Sequence, residues 1–299
     1  INNGLIVGDN GTILKTTDGG VSWVQQTGGN SKQLKSIEMI DNNNAVIVGN
    51  NGAILKTIDA GISWVDISIS NLVNFQSVSF PSDYYGMAVG NKMIIYTADM
   101  GTTWTEKSYG AETNFKGFSF ANSTTGLVIG YYPNLLKTTD GGNNWVSSFN
   151  QDFVNILDVF CIDTNLSFAV GFDGQILKST NGGVDWIFQT SGTINILNDI
   201  YFLDDQYGCA IGANGTILIT VDGGNQWLNE SIPSNNFLSS VTLLDYNNAI
   251  IVGNNGKILR SSDGGESWLE IPSGTPYDLV SEHFCNSLNG IAVGAFGAI

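Results

Sequence analysis

The chain has 299 residues and a formal net charge of −16, although charged residues make up only 13% of it. Its eleven cations include a single arginine, Arg260, which argues against a nucleic-acid partner and against binding to anionic membrane surfaces. A hydrophobic content of 42% excludes a disordered chain, and no apolar run approaches the roughly 20 residues that direct membrane insertion would need.

The predicted elements begin within a repeat, because Ile1–Gly4 lead directly into an apolar strand that ends at Gly8. The following repeat is complete and predicts four short strands, which we name a, b, c and d. Strands b and c are joined at Asn51-Gly52, and both residue types tolerate the positive φ of a tight hairpin. No segment shows a helical period over a dozen residues. In this repeat the predicted strands are a at Leu34–Ile40, b at Ala45–Gly49, c at Ala53–Thr57 and d at Ser63–Ser68.

Seven tryptophans mark the repeat along the whole chain, with spacings of 40 or 41 residues. Five residues before each tryptophan lies an aspartate or its amide. The tryptophans are Trp23, Trp64, Trp104, Trp145, Trp186, Trp227 and Trp268, and the preceding residues are Asp18, Asp59, Asp99, Asp140, Asn181, Asp222 and Asp263. Since no linker interrupts the period, we expect residues 1–299 to form a single domain built from repeats of about 41 residues.

Two further markers follow the same period. One is a glycine at the end of strand b, and the other is a small or short polar residue in strand a. The glycines are Gly8, Gly49, Gly90, Gly130, Gly171, Gly212, Gly253 and Gly294, and the strand a residues are Ser36, Ser77, Gly117, Asp158, Asp199, Ser240 and Ser281. Four antiparallel strands per repeat are typical of a β-propeller blade, whereas a β-solenoid usually has shorter repeats. The sequence therefore predicts an all-β, seven-bladed propeller.

The strand counts leave eight blades as an alternative, because eight strand b glycines accompany seven Asp–Trp pairs. Strand a at Asp278–Phe284 is expected to complete the N-terminal strands, which is the usual closure of a propeller. One strand b is then surplus, at Gly4–Gly8 or at Gly290–Gly294. A displaced strand, a partly built eighth blade or a missing part of a longer chain would each explain it, and we expect a fragment of a longer chain.

The string from Thr16 to Trp23 and its equivalents resemble the Asp-box, also called the bacterial neuraminidase repeat. The longer strings at Val48–Trp64 and Val252–Trp268 resemble the repeat of the photosystem II assembly and stability factor family, which also occurs in secreted bacterial proteins. The resemblance covers essentially the whole chain. It implies the propeller fold but leaves function open, since such propellers include sialidases, glucan hydrolases and non-catalytic scaffolds.

The Asp-box residues are interpreted as structural rather than catalytic. An aspartate at a turn accepts hydrogen bonds from the following backbone N–H groups, and a glycine two residues later, such as Gly20 or Gly265, supplies a positive φ. Each tryptophan is then expected to wedge into the packing between sheets. Their repetition supports this interpretation, because an active site needs one set of catalytic residues and not seven copies of it.

The search for chemistry predicts no enzyme. A sialidase needs several arginines, and Arg260 occupies a repeat position that holds lysine elsewhere. A glycoside hydrolase, the least unlikely activity, needs two opposed carboxylates. The candidates outside the Asp-boxes lie on strand a: Glu38, Asp158, Asp199 and Glu282. Of these, Asp158 and Asp199 share a repeat position in successive repeats.

The sequence predicts no metal and no cofactor. The single histidine, His283, lies beside Glu282 and Cys285, but the spacing of a zinc site is missing. The three cysteines, Cys161, Cys209 and Cys285, are odd in number and far apart, so they are expected to be buried free thiols.

Two repeats depart from the pattern where strands b and c join. Tyr131 and Tyr132 replace the Asn-Gly turn in one repeat, and the turn at Asn91-Lys92 is one residue short in the other. These four residues form the candidate binding surface on the face of the b–c and d–a connections. The predicted function is a non-catalytic binding or scaffold propeller of a secreted or cell-surface bacterial protein. Its partner is expected to be another protein or a surface glycan. The alternative functions are a carbohydrate-active enzyme and a glycan-binding propeller.

Overall fold

The computed structural model describes residues 3–28, 31–69, 73–107, 114–130, 134–148 and 155–299. Its contacts divide the chain into two compact units, Ile1–Ser148 (unit 1) and Phe149–Ile299 (unit 2). Nearly all regular structure in the described ranges is antiparallel strand, interrupted by short 3₁₀ turns. Within these ranges no helix is long and apolar enough to cross a membrane. The single-domain organisation of residues 1–299 stays a prediction.

Unit 1 contains one three-stranded sheet, β1-β2-β3, followed by three four-stranded sheets, β4 to β7, β8 to β11 and β12 to β15. In every sheet the strands lie side by side in chain order. The strands are β1 (Gly4–Val7), β2 (Ile13–Thr16), β3 (Val24–Gln26), β4 (Leu34–Met39), β5 (Ala45–Gly49), β6 (Ile54–Thr57), β7 (Val65–Asp66), β8 (Phe75–Ser79), β9 (Gly86–Gly90), β10 (Met93–Thr97), β11 (Thr105–Lys107), β12 (Phe115–Phe120), β13 (Gly126–Gly130), β14 (Asn134–Thr138) and β15 (Val146–Ser147).

Unit 2 contains three four-stranded sheets, β16 to β19, β20 to β23 and β24 to β27, and the two-stranded sheet β28-β29. The strands are β16 (Ile156–Cys161), β17 (Ser167–Gly171), β18 (Ile176–Ser179), β19 (Ile187–Gln189), β20 (Leu197–Phe202), β21 (Gly208–Gly212), β22 (Ile217–Thr220), β23 (Leu228–Asn229), β24 (Leu238–Leu243), β25 (Ala249–Gly253), β26 (Lys257–Ser261), β27 (Leu269–Glu270), β28 (Leu279–Asn286) and β29 (Asn289–Gly294).

The predicted all-β fold of four-stranded antiparallel blades is confirmed. Seven sheets each carry one Asp-box between strands c and d, which is the predicted blade count. Both candidates for the surplus strand b are present: β1 pairs with β2, and β29 pairs with β28. Which of them serves closure stays a prediction.

In the second repeat, strands a and c are each one residue shorter than predicted, and strand d differs most from the prediction. Strand d was expected at Ser63–Ser68, but β7 covers only Val65–Asp66. Ser63 lies in the Asp-box turn, where its backbone N–H donates to Asp59 Oδ1 at 2.9 Å. The turn therefore takes up residues that alternation alone assigned to the strand.

Strand b lies at the centre of each complete sheet, and its sequence shows why. All five residues of β5, β9, β13, β17 and β21 are buried, so the side chains on both faces of strand b are covered. Such strands read as continuous apolar runs rather than as alternating ones. At the end of β21, a Cβ on Gly212 would lie 1.9 Å from the carbonyl oxygen of Ile196. The strand b glycines are thus explained by close backbone approach.

The hydrophobic core lies in layers between successive sheets. One layer joins Phe168 of β17, Phe202 of β20 and Leu218 of β22, and Trp227 packs against it. The Trp227 ring meets Phe168 and Phe202 edge to face, with centroid distances of 6.3 and 6.0 Å. Trp64, Trp104, Trp145 and Trp268 join equivalent layers between their own sheet and the preceding one. These five rings thus pack against buried residues of two sheets.

Candidate functional site

Each Asp-box is a closed hydrogen-bonded turn, and the one at Asp59 shows its geometry. The hydroxyl of Thr57 donates to Asp59 Oδ1 at 2.8 Å and accepts the backbone N–H of Gly61 at 2.9 Å. The other end of the carboxylate accepts the Ser63 hydroxyl at 2.6 Å. Because these bonds lie within seven residues, the carboxylate closes its own turn.

The hydrogen bonds of the turn hold the aspartates ionised. Side-chain and backbone hydrogen bonds from Ser22 lower the pKa of Asp18 to about 2, and bonds from Ser63 do the same for Asp59. The pKa of Asp99 is also lowered to about 2: hydrogen bonds from Thr103 and Thr97 outweigh the opposing effect of partial burial. These groups are therefore placed to stabilise the turns at neutral pH.

The turn at Asn181 has the same hydrogen-bonded form, although an amide replaces the aspartate and Asp185 replaces the serine four residues later. Its Oδ1 accepts the backbone N–H of Asp185 at 2.9 Å, as an aspartate would. Its Nδ2 donates to Asp185 Oδ2 at 2.8 Å, where four of the other turns have a serine or threonine hydroxyl that donates to the aspartate. The carboxylate of this turn therefore lies four residues later in the chain than Asp59 does in its own turn. The first residue, Asn181, donates the hydrogen bond, whereas Asp59 accepts it.

The repeated lysines of strand c have a role that the sequence analysis did not assign. In unit 2, Lys178 Nζ donates to the carbonyl oxygen of Gly223 at 2.6 Å, inside the Asp-box of the following sheet. In unit 1, Lys56 Nζ donates to Thr102 Oγ1 at 2.6 Å in the same way. The sequence does show a lysine or arginine at this position of several repeats. It could not identify the bonded residue, because that residue lies about one repeat later in the chain.

The candidate carboxylates Asp158 and Asp199 lie on strands β16 and β20 and bond to the neighbouring strand. Asp158 Oδ2 accepts the backbone N–H of Ile200 at 3.1 Å, and Asp199 Oδ2 accepts that of Val241 at 2.7 Å. Ser36 holds the equivalent position in unit 1, and its Oγ accepts the N–H of Val78 at 3.3 Å. The two aspartates thus replace a repeated hydrogen bond between strands, and this geometry does not describe a pair facing a substrate cleft.

The other two strand a carboxyl groups, Glu38 and Glu282, have raised pKa values. Burial raises the pKa of Glu282 to about 7, with the nearby charge of Asp199 acting in the same direction. Thr242 Oγ1 donates to Glu282 Oε1 at 3.0 Å. In unit 1, burial alone raises the pKa of Glu38 to about 7. Unit 2 brings Asp158, Asp199 and Glu282 together, whereas Glu38 belongs to unit 1.

The cysteine prediction holds for two of three residues. Cys161 and Cys209 are buried and form no disulfide, but Cys285 is exposed. The expectation was wrong at Cys285 because it lies near the end of β28, in a sheet of only two strands. His283 on the same strand is exposed as well. Among the described residues, no group of three or more His, Cys, Asp or Glu side chains could hold a metal ion.

The candidate surface predicted at the b–c connections is only partly described. Tyr131 and Tyr132 lie outside the described residues. Asn91 forms an antiparallel bridge with Asn114, and its N–H donates to the carbonyl oxygen of Asn74 at 3.1 Å. Lys92 is exposed and takes a φ of 54°, close to that of Asn51 in the preceding repeat. These two residues therefore build a shortened turn, and their role in binding stays a prediction.

A surface groove in unit 2 was missed by the sequence analysis. It has a volume of about 680 Å³ and lies between the b–c turn at Asp173 and the d–a connection that ends at Asn195. The two segments touch, since a Cβ on Gly174 would lie 2.0 Å from the carbonyl oxygen of Thr193. Ile194 is 86% exposed beside the groove. The one signal for it in the sequence is an isoleucine within a polar Ser-Gly-Thr connection.

The walls of the groove combine apolar and polar groups. Phe188 is 48% exposed and supplies apolar surface together with Ile194. Gln175 also lines the groove, and its side-chain oxygen is buried without a hydrogen-bond partner in the described structure. The Asp173 carboxylate lies on an exposed residue at one side. A ligand that brings an N–H group, an apolar side chain and a positive charge would match these walls.

Comparison with known families gives one match that covers more than half of the chain. The model of the family described as photosynthesis system II assembly factor YCF48 matches residues 1–75, 72–153 and 186–280. No curated protein sequence matches the chain.

Solved structures resemble the chain over most of its length. The structure of YCF48 bound to D1 peptide has a TM-score of 0.72 and 20% identity, covering 92% of this chain and 93% of that one. YCF48 from Cyanidioschyzon merolae has a TM-score of 0.69 and 18% identity, with coverages of 88% and 93%. The computationally designed Ika8 protein has a TM-score of 0.82 and 14% identity, with coverages of 100% and 92%. At these identities the likeness establishes the propeller fold.

Proposed function

The chain belongs to the family of the photosynthesis system II assembly factor YCF48, and from this membership we propose that it is a non-catalytic propeller that binds a protein partner. The groove of unit 2 carries the proposal. It lies on the end of the sheet where the b–c and d–a connections meet, which is the face predicted from the sequence. Loops held on a rigid sheet are the usual place for binding residues.

We propose an extended peptide segment as the occupant of the groove. An extended backbone presents N–H groups, and the buried side-chain oxygen of Gln175 lacks a donor in the described structure. A buried acceptor without a partner costs free energy, which a donor from the peptide would recover. Phe188 and Ile194 offer exposed apolar surface for an aliphatic or aromatic side chain of the same segment.

The charge of the chain favours a basic segment. The formal net charge is −16, and Asp173 lines the groove itself. A segment that carries lysine or arginine would be attracted over a longer range and would place a cation beside Asp173. The related YCF48 structure bound to a D1 peptide supports the idea that this fold takes up a peptide.

An array of synthetic peptides tests this proposal. The probes are extended peptides that carry lysine or arginine beside aliphatic residues, each paired with a version in which glutamate replaces the cations. We expect the basic members to bind and Ile194→Ser to weaken the best of them by about tenfold or more. Asp173→Asn should weaken the basic members as well.

The matched control is Val184→Ser. Val184 belongs to the same repeat and is 58% exposed, but it lies in the Asp-box at the other end of the sheet. Binding should be unchanged in this variant. An array without any binder, or binding that Ile194→Ser leaves intact, would contradict the proposed site.

The alternatives to protein binding are also open to test. Because the Asp158 and Asp199 carboxylates accept backbone N–H groups of neighbouring strands, we propose that they do not form a hydrolytic pair. Turnover of a glycan that is lost in Asp158→Ser would overturn this view. Glycan binding at Tyr131 and Tyr132 is the second candidate, and an unchanged glycan array for the Tyr131→Ala, Tyr132→Ala double variant would count against it.

We further propose that the chain belongs to a bacterial protein outside the cytoplasm, either secreted or on the cell surface. The support comes from the acidic composition with few lysines and from the occurrence of this repeat in secreted bacterial proteins. Fractionation of the cells that produce the protein tests it. Recovery of the protein from the cytoplasm alone would contradict this location.

A further inference from the structure

Strand β19 is the outer edge of its sheet and is less protected than the other outer strands. The sheet has the order β16-β17-β18-β19, so no strand of the described residues pairs with the far side of β19. Its first two residues, Ile187 and Phe188, are 65% and 48% exposed. The other six outer strands in the described ranges carry a polar or charged residue at the position of Phe188: Gln25, Asp66, Glu106, Ser147, Asn229 and Glu270. Such residues protect edge strands from pairing, so β19 is the outer strand most open to a further strand.

The backbone of Phe188 points toward this open edge. In the pairing of β18 with β19, Gln189 lies opposite Ile176. At the equivalent position of the next sheet, the N–H of Glu230 donates to the carbonyl oxygen of Ile217 at 3.0 Å, so this position faces strand c. Backbone groups of successive residues in an antiparallel strand point to alternate sides, and the N–H and C=O of Phe188 therefore point away from β18. The edge thus offers a donor and an acceptor to an added strand.

The open edge leads into the groove of unit 2. Phe188 and Gln189 of β19 line the groove itself. A peptide that lies along this edge would therefore continue past the exposed side chain of Ile194 and the buried side-chain oxygen of Gln175. In an added strand, alternate side chains point to the same face of the sheet. One alternate set of peptide side chains would then meet the groove, and the other set would not.

The charge of the chain favours a partner segment over a second copy as the occupant of this edge. Two copies of the chain would each carry a formal net charge of −16, and this charge opposes pairing of one β19 with another. Asp173 adds a local negative charge where the edge meets the groove. A segment with lysine or arginine is attracted by the same charges.

We propose that a basic segment of the partner protein binds as a fifth strand along β19 and enters the groove at the end of that strand. This inference rests on the proposed function and adds the conformation of the bound segment. Main-chain hydrogen bonds to Phe188 supply affinity, and the alternate side chains that meet the groove supply specificity. The recognised segment is accordingly an extended strand with cations and apolar residues in alternation.

A scan of N-methylated peptides tests the added strand on the wild-type chain. The probe is the best basic peptide of the array, methylated at one backbone nitrogen at a time. A methyl group removes the donor and prevents close approach, and only alternate N–H groups of a strand face its neighbour. We expect methylation within one alternate set of central positions to weaken binding about tenfold or more and methylation between them to have little effect.

The outcomes of this scan separate the added strand from the groove. Losses without alternation would overturn the added strand, whereas a loss of binding in Ile194→Ser would still support the proposed groove. An array without any binder would overturn both.

Two variants of Phe188 separate its backbone from its side chain. Phe188→Ala and Phe188→Pro both lose the ring, but only the proline variant loses the N–H. Proline is tolerated on an edge strand where the N–H faces away from the sheet. We expect Phe188→Pro to bind the peptide about fivefold or more weakly than Phe188→Ala.

The matched control is Asn229→Pro, at the equivalent position of β23, which should bind the peptide as the wild type does. Equal binding by the two Phe188 variants would contradict pairing at β19. If Phe188→Pro does not fold, the peptide scan decides. A dimer of the wild-type chain that dissociates in Phe188→Pro would assign the edge to a second copy and would overturn the partner segment.

Discussion

Lys178 Nζ lies 2.6 Å from the carbonyl oxygen of Gly223, a residue 45 positions later in the chain. The lysine also lies 3.3 Å from Asn225 Oδ1. Together with backbone hydrogen bonds from Gln226, its charge lowers the pKa of Asp222. One side chain of strand c thus holds the Asp-box of the following sheet, and the arrangement recurs with Lys56 and Thr102 in unit 1.

Replacing Lys178 with methionine should destabilise unit 2 by about 1 kcal/mol, since the variant keeps the aliphatic stem but loses a charged donor. Lys257→Met is the control. Lys257 forms an ion pair with Glu270 at 2.7 Å, and the Glu270 side chain is 61% exposed, so its loss should cost less than about 0.5 kcal/mol. Urea denaturation measures the free energy of unfolding of both variants. Equal losses would show that the bond from Lys178 to Gly223 stabilises the protein no more than the exposed ion pair does.

Trp227→Ala should cost about 3 kcal/mol in the free energy of unfolding. The ring is only half-buried, but it closes the layer between two sheets against Phe168 and Phe202. The exposed Val221 in the same Asp-box gives the comparison, because Val221→Ala should change stability by less than about 0.5 kcal/mol. A loss below about 1 kcal/mol for Trp227→Ala would mean that the ring is not a wedge in the core.

Gly212→Ala should destabilise unit 2 by about 2 kcal/mol or more, because its Cβ would lie 1.9 Å from the carbonyl oxygen of Ile196. Gly117 in unit 1 is also a strand glycine, but a Cβ there meets nothing within 4 Å. Gly117→Ala should therefore be neutral or slightly stabilising. Thermal unfolding of the two variants tests the contrast. Similar melting temperatures would contradict close backbone approach as the reason for the strand b glycines.

The Asp-boxes should weaken the fold in acid. Asp18, Asp59 and Asp99 have pKa values of about 2 in the folded state, below the usual value of about 4. A carboxyl group with a lowered pKa stabilises the fold above its unfolded-state pKa, and this contribution is lost as the pH falls from about 4 to about 2. The urea midpoint should therefore drop across this window, and Asp59→Asn should show a smaller drop than the wild type.

The turn at Asn181 should respond in the opposite sense. Asn181→Asp places a carboxylate against Asp185, to which the amide now donates at 2.8 Å. The variant should be less stable than the wild type at pH 7 and should recover as the pH falls. Adding Asp185→Ser should restore stability at pH 7, since the pair then matches Asp59 and Ser63. Failure of this second change to restore stability would contradict the exchange of groups described for this turn.

The sequence by itself determined the features that depend on neighbouring residues. The Asp-box could be predicted because its hydrogen bonds run between residues two to four positions apart, as from Thr57 to Asp59 and from Ser63 to Asp59. The b–c turn could be predicted for the same reason, and Asn51 and Gly52 do take positive φ values of 56° and 68°. Periodic tryptophans and glycines then predicted the fold and the number of Asp-box sheets.

Only the tertiary structure decided what lies between repeats. The partners of Lys178, Asp158 and Asp199 are 40 or more positions away, and the groove at Ile194 forms where two connections of one repeat meet. Periodicity marks equivalent positions but does not say which of them touch, because contact depends on how one sheet packs on the next. For that reason the sequence offered Asp158 and Asp199 as a possible catalytic pair, and the structure showed that each accepts a backbone N–H of the next strand a.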